Sequence, residues 1–178
     1  MKKTLVIFLI IMVLSCCTKT HSTKDDFFTI QKTPYIGDKL RIDGFFYQKW
    51  DNGAKYLNIT FFYKNGVVFQ GNSAGHMSDL VEQAQQTLLN HDQKKNIKSF
   101  WGLFQVDDNK IIYERWEGSQ LGYLVYREEG VIINDTTFVM TEISRVNQGV
   151  KTEIKPIERM YYFKEFSPKP DSTNVFIP

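Results

Sequence analysis

From residue 56 the chain alternates strictly and then turns. Leu57, Ile59, Phe61 and Tyr63 take one parity, and Tyr56, Asn58, Thr60 and Phe62 the other. A period of two places successive side chains on opposite faces of a strand. Asn65-Gly66 follows at once, a dipeptide that readily takes the positive φ values of a tight hairpin. Residues 67–70 return. Upstream, residues 39–50 are rich in Phe, Tyr and Ile, with Leu40, Ile42 and Phe46 on one face, and Asp51-Asn52-Gly53 supplies a second turn. Three strands joined by two short turns make an antiparallel meander.

After residues 71–75 the period changes. Met77, Leu80, Val81, Ala84 and Leu88 recur at three and four, with Glu82, Gln83, Gln85 and Gln86 opposite them. This predicts one amphipathic helix of about three turns, ending within 90–95. Its cap is either Ser78 or Asp79 paired with Glu82. Strand signals resume over 99–106, 111–116, 123–128, 131–133 and 137–146, with Glu129-Gly130 read as a break. Residues 150–154 and 158–166 pair last, with Pro156 confined to the connection or an edge. Eight to ten short strands, one helix and no helix–strand alternation predict a mainly β fold. The expected form is an antiparallel β-barrel or half-barrel, with the helix at an end or over an opening.

The first seventeen residues fix the address. Lys2 and Lys3 form a positive head, residues 5–14 are apolar throughout, and Ser15, Cys16 and Cys17 follow. That order is a secretory signal, and the apolar run falls short of the roughly 20 residues that span a bilayer. Val13-Leu14-Ser15-Cys16 resembles the lipobox of bacterial lipoproteins. The resemblance implies that Cys16 carries the lipid and becomes the first mature residue; an ordinary cleaved signal with an incidental cysteine pair is the other reading. Two or more acyl chains would hold the protein firmly in a membrane. Lys24-Asp25-Asp26 resembles the surface-export signal of some Gram-negative lipoproteins, or is a solvated linker. The expected organisation is a signal peptide over 1–15, a lipidated N-terminus and flexible tether over 16–36, a barrel-like domain over 37–166 and a tail over 167–178. The expected location is the outer membrane, on its periplasmic or cell-surface face. Residues 100–145 resemble the lipocalin-like domains of small exported lipoproteins, through Trp101-Gly102 at a strand start and Lys110-Ile111-Ile112-Tyr113 in the next strand.

Charge and cysteine use exclude several functions. Formal net charge is +2, so the chain is neutral once Lys2 and Lys3 leave with the signal. A nucleic-acid binder needs a basic face to displace counterions. With 42% hydrophobic and 15% aromatic residues, the mature chain has enough apolar material for a core and is not disordered by composition. Both cysteines lie at the signal boundary, which leaves the domain without disulfides, thiol nucleophiles or cysteine metal sites. His21, His76 and His91 lack metal-ligand spacing, and no Gly-rich phosphate loop is present. No cofactor is expected.

Ser73, His76, Ser78 and Asp79 have the residue types of a hydrolase triad but lack a Gly-x-Ser-x-Gly elbow, and read as helix capping. Glu114, Glu117, Glu128, Glu129 and Glu142 suit paired-carboxylate chemistry by type alone. The chain is therefore not expected to be an enzyme. The ligand candidates are polar residues sharing strand faces with aromatics: Tyr113 with Arg115, and Tyr123 with Arg127. Facing inward they make an aromatic pocket with guanidinium groups for an acidic head group. Facing outward they pair with Glu neighbours, and Ile112, Glu114 and Trp116 form the inward set. Asp135-Thr136-Thr137 and Asp171-Ser172-Thr173 resemble O-glycan acceptors of some Gram-negative envelopes, or are turn residues. The expected function is a membrane-anchored barrel binding a small amphipathic or acidic ligand. The alternative is a structural or interaction lipoprotein of an envelope complex.

Overall fold

The computed structural model of the chain describes residues 25–49 and 56–178. The expected signal peptide, Cys16 and His21, and the turn Asp51-Asn52-Gly53, lie outside the described residues. Eight strands form: β1 (Gly44–Lys49), β2 (Leu57–Phe62), β3 (Val67–Ala74), β4 (Trp101–Asp107), β5 (Lys110–Ser119), β6 (Gly122–Asn134), β7 (Thr137–Asn147) and β8 (Val150–Glu165). Each pairs antiparallel with the next, and β8 closes on β1 with Phe46 opposite Phe163 and Gln48 opposite Tyr161. The result is a closed up-and-down barrel, an architecture consistent with a lipocalin-like fold. Among the described residues every strand has a partner on both sides, although β3 and β4 meet over only three positions.

The alternation in β2 has a double consequence, because both of its faces are buried. Phe62 belongs to the barrel interior with Phe46, Val68, Phe104, Ile111, Tyr113, Ile132, Phe138, Met140 and Tyr161. Ile59 and Phe61 belong to a second core on the outer wall, with Phe69, Trp101, Leu103, Trp116, Val125 and Val146. The barrel therefore wears a coat. Helix α1 (Leu80–Leu89), entered through a 3₁₀ turn at Met77–Asp79 and continued by the single turn α2 (His91–Lys94), lies against that outer core through Leu80 and Ala84. It packs on the wall of β2 and β3, not across an end as the sequence suggested. No side chain caps it; the Ser78 hydroxyl donates to Asp79 instead.

Two segments read as tether and tail complete the coat. From Asp25 the chain is strapped along the barrel and is not a loose linker. Asp26 N–H donates to Tyr123 O, Trp116 Nε1 donates to Asp26 O, Gln105 Nε2 donates to Gln31 O, and Tyr35 N–H donates to Lys64 O. Gly66 suits this crossing twice over. Its φ is +81°, and a Cβ there would stand 2.3 Å from the Thr33 carbonyl oxygen. The C-terminal tail returns over the same wall. Tyr63 donates to Pro170 O, Phe176 approaches Trp116 at 6.4 Å, and Ile177 is buried.

Two expected breaks are absent. Residues 123–128 and 131–133 are one strand, β6, and Glu129-Gly130 is a bulge within it. Residues 150–154 and 158–165 are likewise one strand, β8, which ends one residue short of the expected bound. Pro156 sits there opposite Glu142 beside a register shift, where a missing N–H is tolerated.

Candidate functional site

The barrel interior is divided along its axis. One half is packed with rings: Phe62 meets Phe104 edge-on at 4.9 Å, Phe46 lies 5.0 Å from Phe138, and Phe138 stacks on Tyr161 at 4.5 Å. The other half is polar and holds a partly open cavity of about 270 Å³. Its walls include Gln48 from β1, Thr60 from β2, Gln70 from β3, Arg115 from β5, Glu128 from β6, and Arg159 and Tyr161 from β8. This half lies toward the end where β5 turns into β6 and β7 into β8.

Inward parity brings these groups together. Tyr113 opposes Glu128 and Arg115 opposes Tyr126 across β5 and β6. Directly opposed residues share a face, so Tyr113, Arg115 and Glu128 all point inward. Glu128 is 2% exposed and accepts from Arg159 Nη1 at 2.6 Å. The Tyr161 hydroxyl lies 3.3 Å from Glu128 Oε2 and 3.2 Å from Gln48 Oε1. Burial pushes the Tyr161 hydroxyl pKa well above its ordinary value, and the Glu128 charge adds to this. It therefore stays protonated and donates. Burial raises the Tyr113 hydroxyl in the same way, and that oxygen accepts from Gln70 Nε2 at 2.8 Å. Arg115 is pulled two ways. Burial opposes its charge, but Tyr113, Glu128, Glu117 and Tyr161 outweigh it and leave its pKa raised. Its closest ion pair is with Glu117 at 3.2 Å. Gln48 is 3% exposed, and its Nε2 has no hydrogen-bond partner among the described residues. An unpaired buried donor is costly and calls for an explanation.

Of the residues expected at a site, Tyr113 and Arg115 reach the interior, and Tyr123 and Arg127 do not join them. Tyr123 is on the outer wall, where its ring lies 5.4 Å from Lys98 Nζ. Arg127 pairs with Glu129 at 2.7 Å and with Glu114 at 3.3 Å, also outside. Glu114 is fully buried beneath the strap and accepts from Thr29 N–H at 2.7 Å and Ile30 N–H at 3.3 Å. Its neighbour Trp116 packs on Phe28 at 3.9 Å. The set Ile112, Glu114 and Trp116 thus faces outward. Arg159 and Gln48 are cavity residues that sequence reasoning missed, and Glu128, named there only as a carboxylate by type, is a third.

The other candidates resolve into local structure. Ser73 donates to Asn58 and Ser78 to Asp79, while His76 is exposed, so no triad forms among them. Glu129 and Glu142 share Lys151 at 2.6 and 2.5 Å. Asp171 and Asn134 close Asx turns on Thr173 and Thr136. His91 packs between Phe69 and Trp101, with Nε2 3.1 Å from Asp171 O. Among the described residues, no group of three or more His, Cys, Asp or Glu side chains is placed to hold a metal ion.

No protein-family model, no curated protein and no solved structure matches the chain.

Proposed function

We propose that the protein is an exported barrel, tethered to the outer membrane through lipid on Cys16, that holds a small acidic molecule in its polar cavity. The observation that carries the ligand reading is Gln48. A cavity-wall amide is buried with an unsatisfied donor, in the same wall as the guanidinium groups of Arg115 and Arg159. A carboxylate or similar oxyanion accepts from such an amide and from an arginine fork. The cavity, about 270 Å³, lies just under the roughly 300–1,000 Å³ of common ligand pockets. The aromatic half is already filled, which leaves no room for a long apolar chain. The ligand class is therefore a compact acid rather than an extended amphiphile. Tethering rests on the lipobox resemblance.

Native mass spectrometry of protein purified from its own membrane tests both parts. Acylation at Cys16 predicts a triacyl mass that disappears in a version lacking residues 1–17. The ligand reading predicts a bound species of low mass that the truncated form keeps and Arg115→Met loses. A clean apo mass for every form rejects the ligand. It supports the interaction-lipoprotein reading instead, which the filled aromatic half favours, and directs effort to cross-linking for an envelope partner.

A further inference from the structure

The barrel has two unlike ends. At one end the turns read Lys64-Asn65, Asp107-Asp108-Asn109-Lys110 and Asn134-Asp135-Thr136, all polar. At the other, Leu121 between β5 and β6 is 54% exposed, and Val150 at the start of β8 is 63% exposed. Phe27, 60% exposed, stands beside that second turn, its ring 3.9 Å from where a Cβ on Gly149 would lie. Phe27, Leu121 and Leu124 line one groove of about 870 Å³. Exposed apolar side chains occur at the first end too, Ile36 at 97% and Ile133 at 56%, but Phe27 and Leu121 share a groove with Asp25, where the described chain begins.

The described chain enters the fold at this same end. Tyr123 N–H donates to Asp25 Oδ1 at 3.0 Å, and Lys98 pairs with Asp25 at 2.7 Å. Asp25 follows Cys16 by nine residues, a reach of no more than about 30 Å. An acyl anchor on Cys16 therefore keeps this end within about 30 Å of the bilayer.

We propose that this end seats on the phospholipid surface, with Phe27, Leu121 and Val150 entering the headgroup region. The proposal rests on the acylation of Cys16. The groove carries both signs of charge, with Arg145 3.8 Å from Asp26 and 3.6 Å from Glu153, so no net field selects anionic lipid. Apolar insertion holds the contact, and high salt leaves it in place.

The test is hydrogen exchange on the full lipidated chain in nanodiscs of phosphatidylcholine and phosphatidylethanolamine at high salt. The comparison is the form lacking residues 1–17, which keeps every described residue. Turns 119–122 and 147–150 should exchange several-fold more slowly in the nanodisc, while 107–110 and 134–137 stay unchanged. Leu121→Asp combined with Val150→Asp should lose that protection and keep the acyl mass. Equal exchange at the two ends, with the acyl mass present, overturns the docking proposal alone. Protection that appears in the lipid-free form and grows with protein concentration assigns the surface to a second copy instead. Absence of the acyl mass overturns both the anchor and the docking.

Discussion

Gln48 separates a binding role from a packing role, because the two predict opposite signs. Its Nε2 is buried without a partner among the described residues, and the Tyr161 hydroxyl keeps Glu128 as an acceptor, so Gln48→Leu removes an unsatisfied donor. Urea unfolding of the ligand-free protein should show a gain of about 1 kcal/mol, while the low-mass species is lost from the native spectrum. Glu114 is the converse case. It gathers the Thr29 and Ile30 amides and Arg127 beneath the strap. Glu114→Ala should cost about 3 kcal/mol, because it leaves buried donors behind, and amides 26–31 should exchange faster. Lys169 gives a pH dependence. Its Nζ donates to Ile42 O and Phe62 O and lies 4.4 Å from the Tyr63 ring, and burial holds its pKa at about 8. The unfolded chain keeps the ordinary lysine value near 10.5. Between those values the unfolded state binds more protons at this group, so the Lys169 contribution to stability rises with pH from about 8, ahead of the opposing tyrosine effect near 10, and is flat below. Thermal melts across that window should show the slope, and Lys169→Met should remove it.

Gly130 shows what a strand pattern reveals and what it conceals. A Glu-Gly pair between two apolar runs reads as a turn, yet here it is a bulge where β6 passes β7 at close range. A Cβ on Gly130 would stand 2.0 Å from Val139 O. Gly130→Ala should therefore destabilise by about 2 kcal/mol through forced displacement of the neighbouring strand, measured by chemical denaturation. Asn65-Gly66 and the helical period after residue 76 were legible because their causes are local. The strap was not, because Thr29 and Ile30 find their partner in Glu114, more than 80 positions away. Nor did alternation say which parity of β2 faced inward, since both faces are buried. The site was half legible for a related reason. Tyr113 and Arg115 were grouped correctly, but Tyr123 and Arg127 were the wrong parity of β6. Counting register back from the tight turn at Gln120-Leu121 pairs Ser119 with Gly122 and arrives at Glu128 opposite Tyr113. That count would have found the acidic member of the cavity. Arg159 stays beyond it, because two register shifts separate it from the turn between β7 and β8, and so does Gln48, which meets the cavity's far wall through the pairing of β1 with β8.

That pairing governs how the chain comes to be folded. Gly44 meets Glu165 and Gln48 meets Tyr161, so the first strand is held by the last. A polypeptide made from its N-terminus has no partner for β1 on that side until β8 is complete. The cavity wall is equally late, since Arg159 and Tyr161 belong to β8. Contacts between distant positions also make folding slow, on the order of milliseconds to seconds for all-β domains. Chains stalled on the ribosome should therefore stay sensitive to protease until Glu165 has cleared the exit tunnel, with resistance then appearing in one step rather than strand by strand. The ring is in effect a delay: throughout its synthesis the polypeptide remains a thread that can still be drawn through a pore, and it becomes an object too wide to pass only when its final strand is delivered.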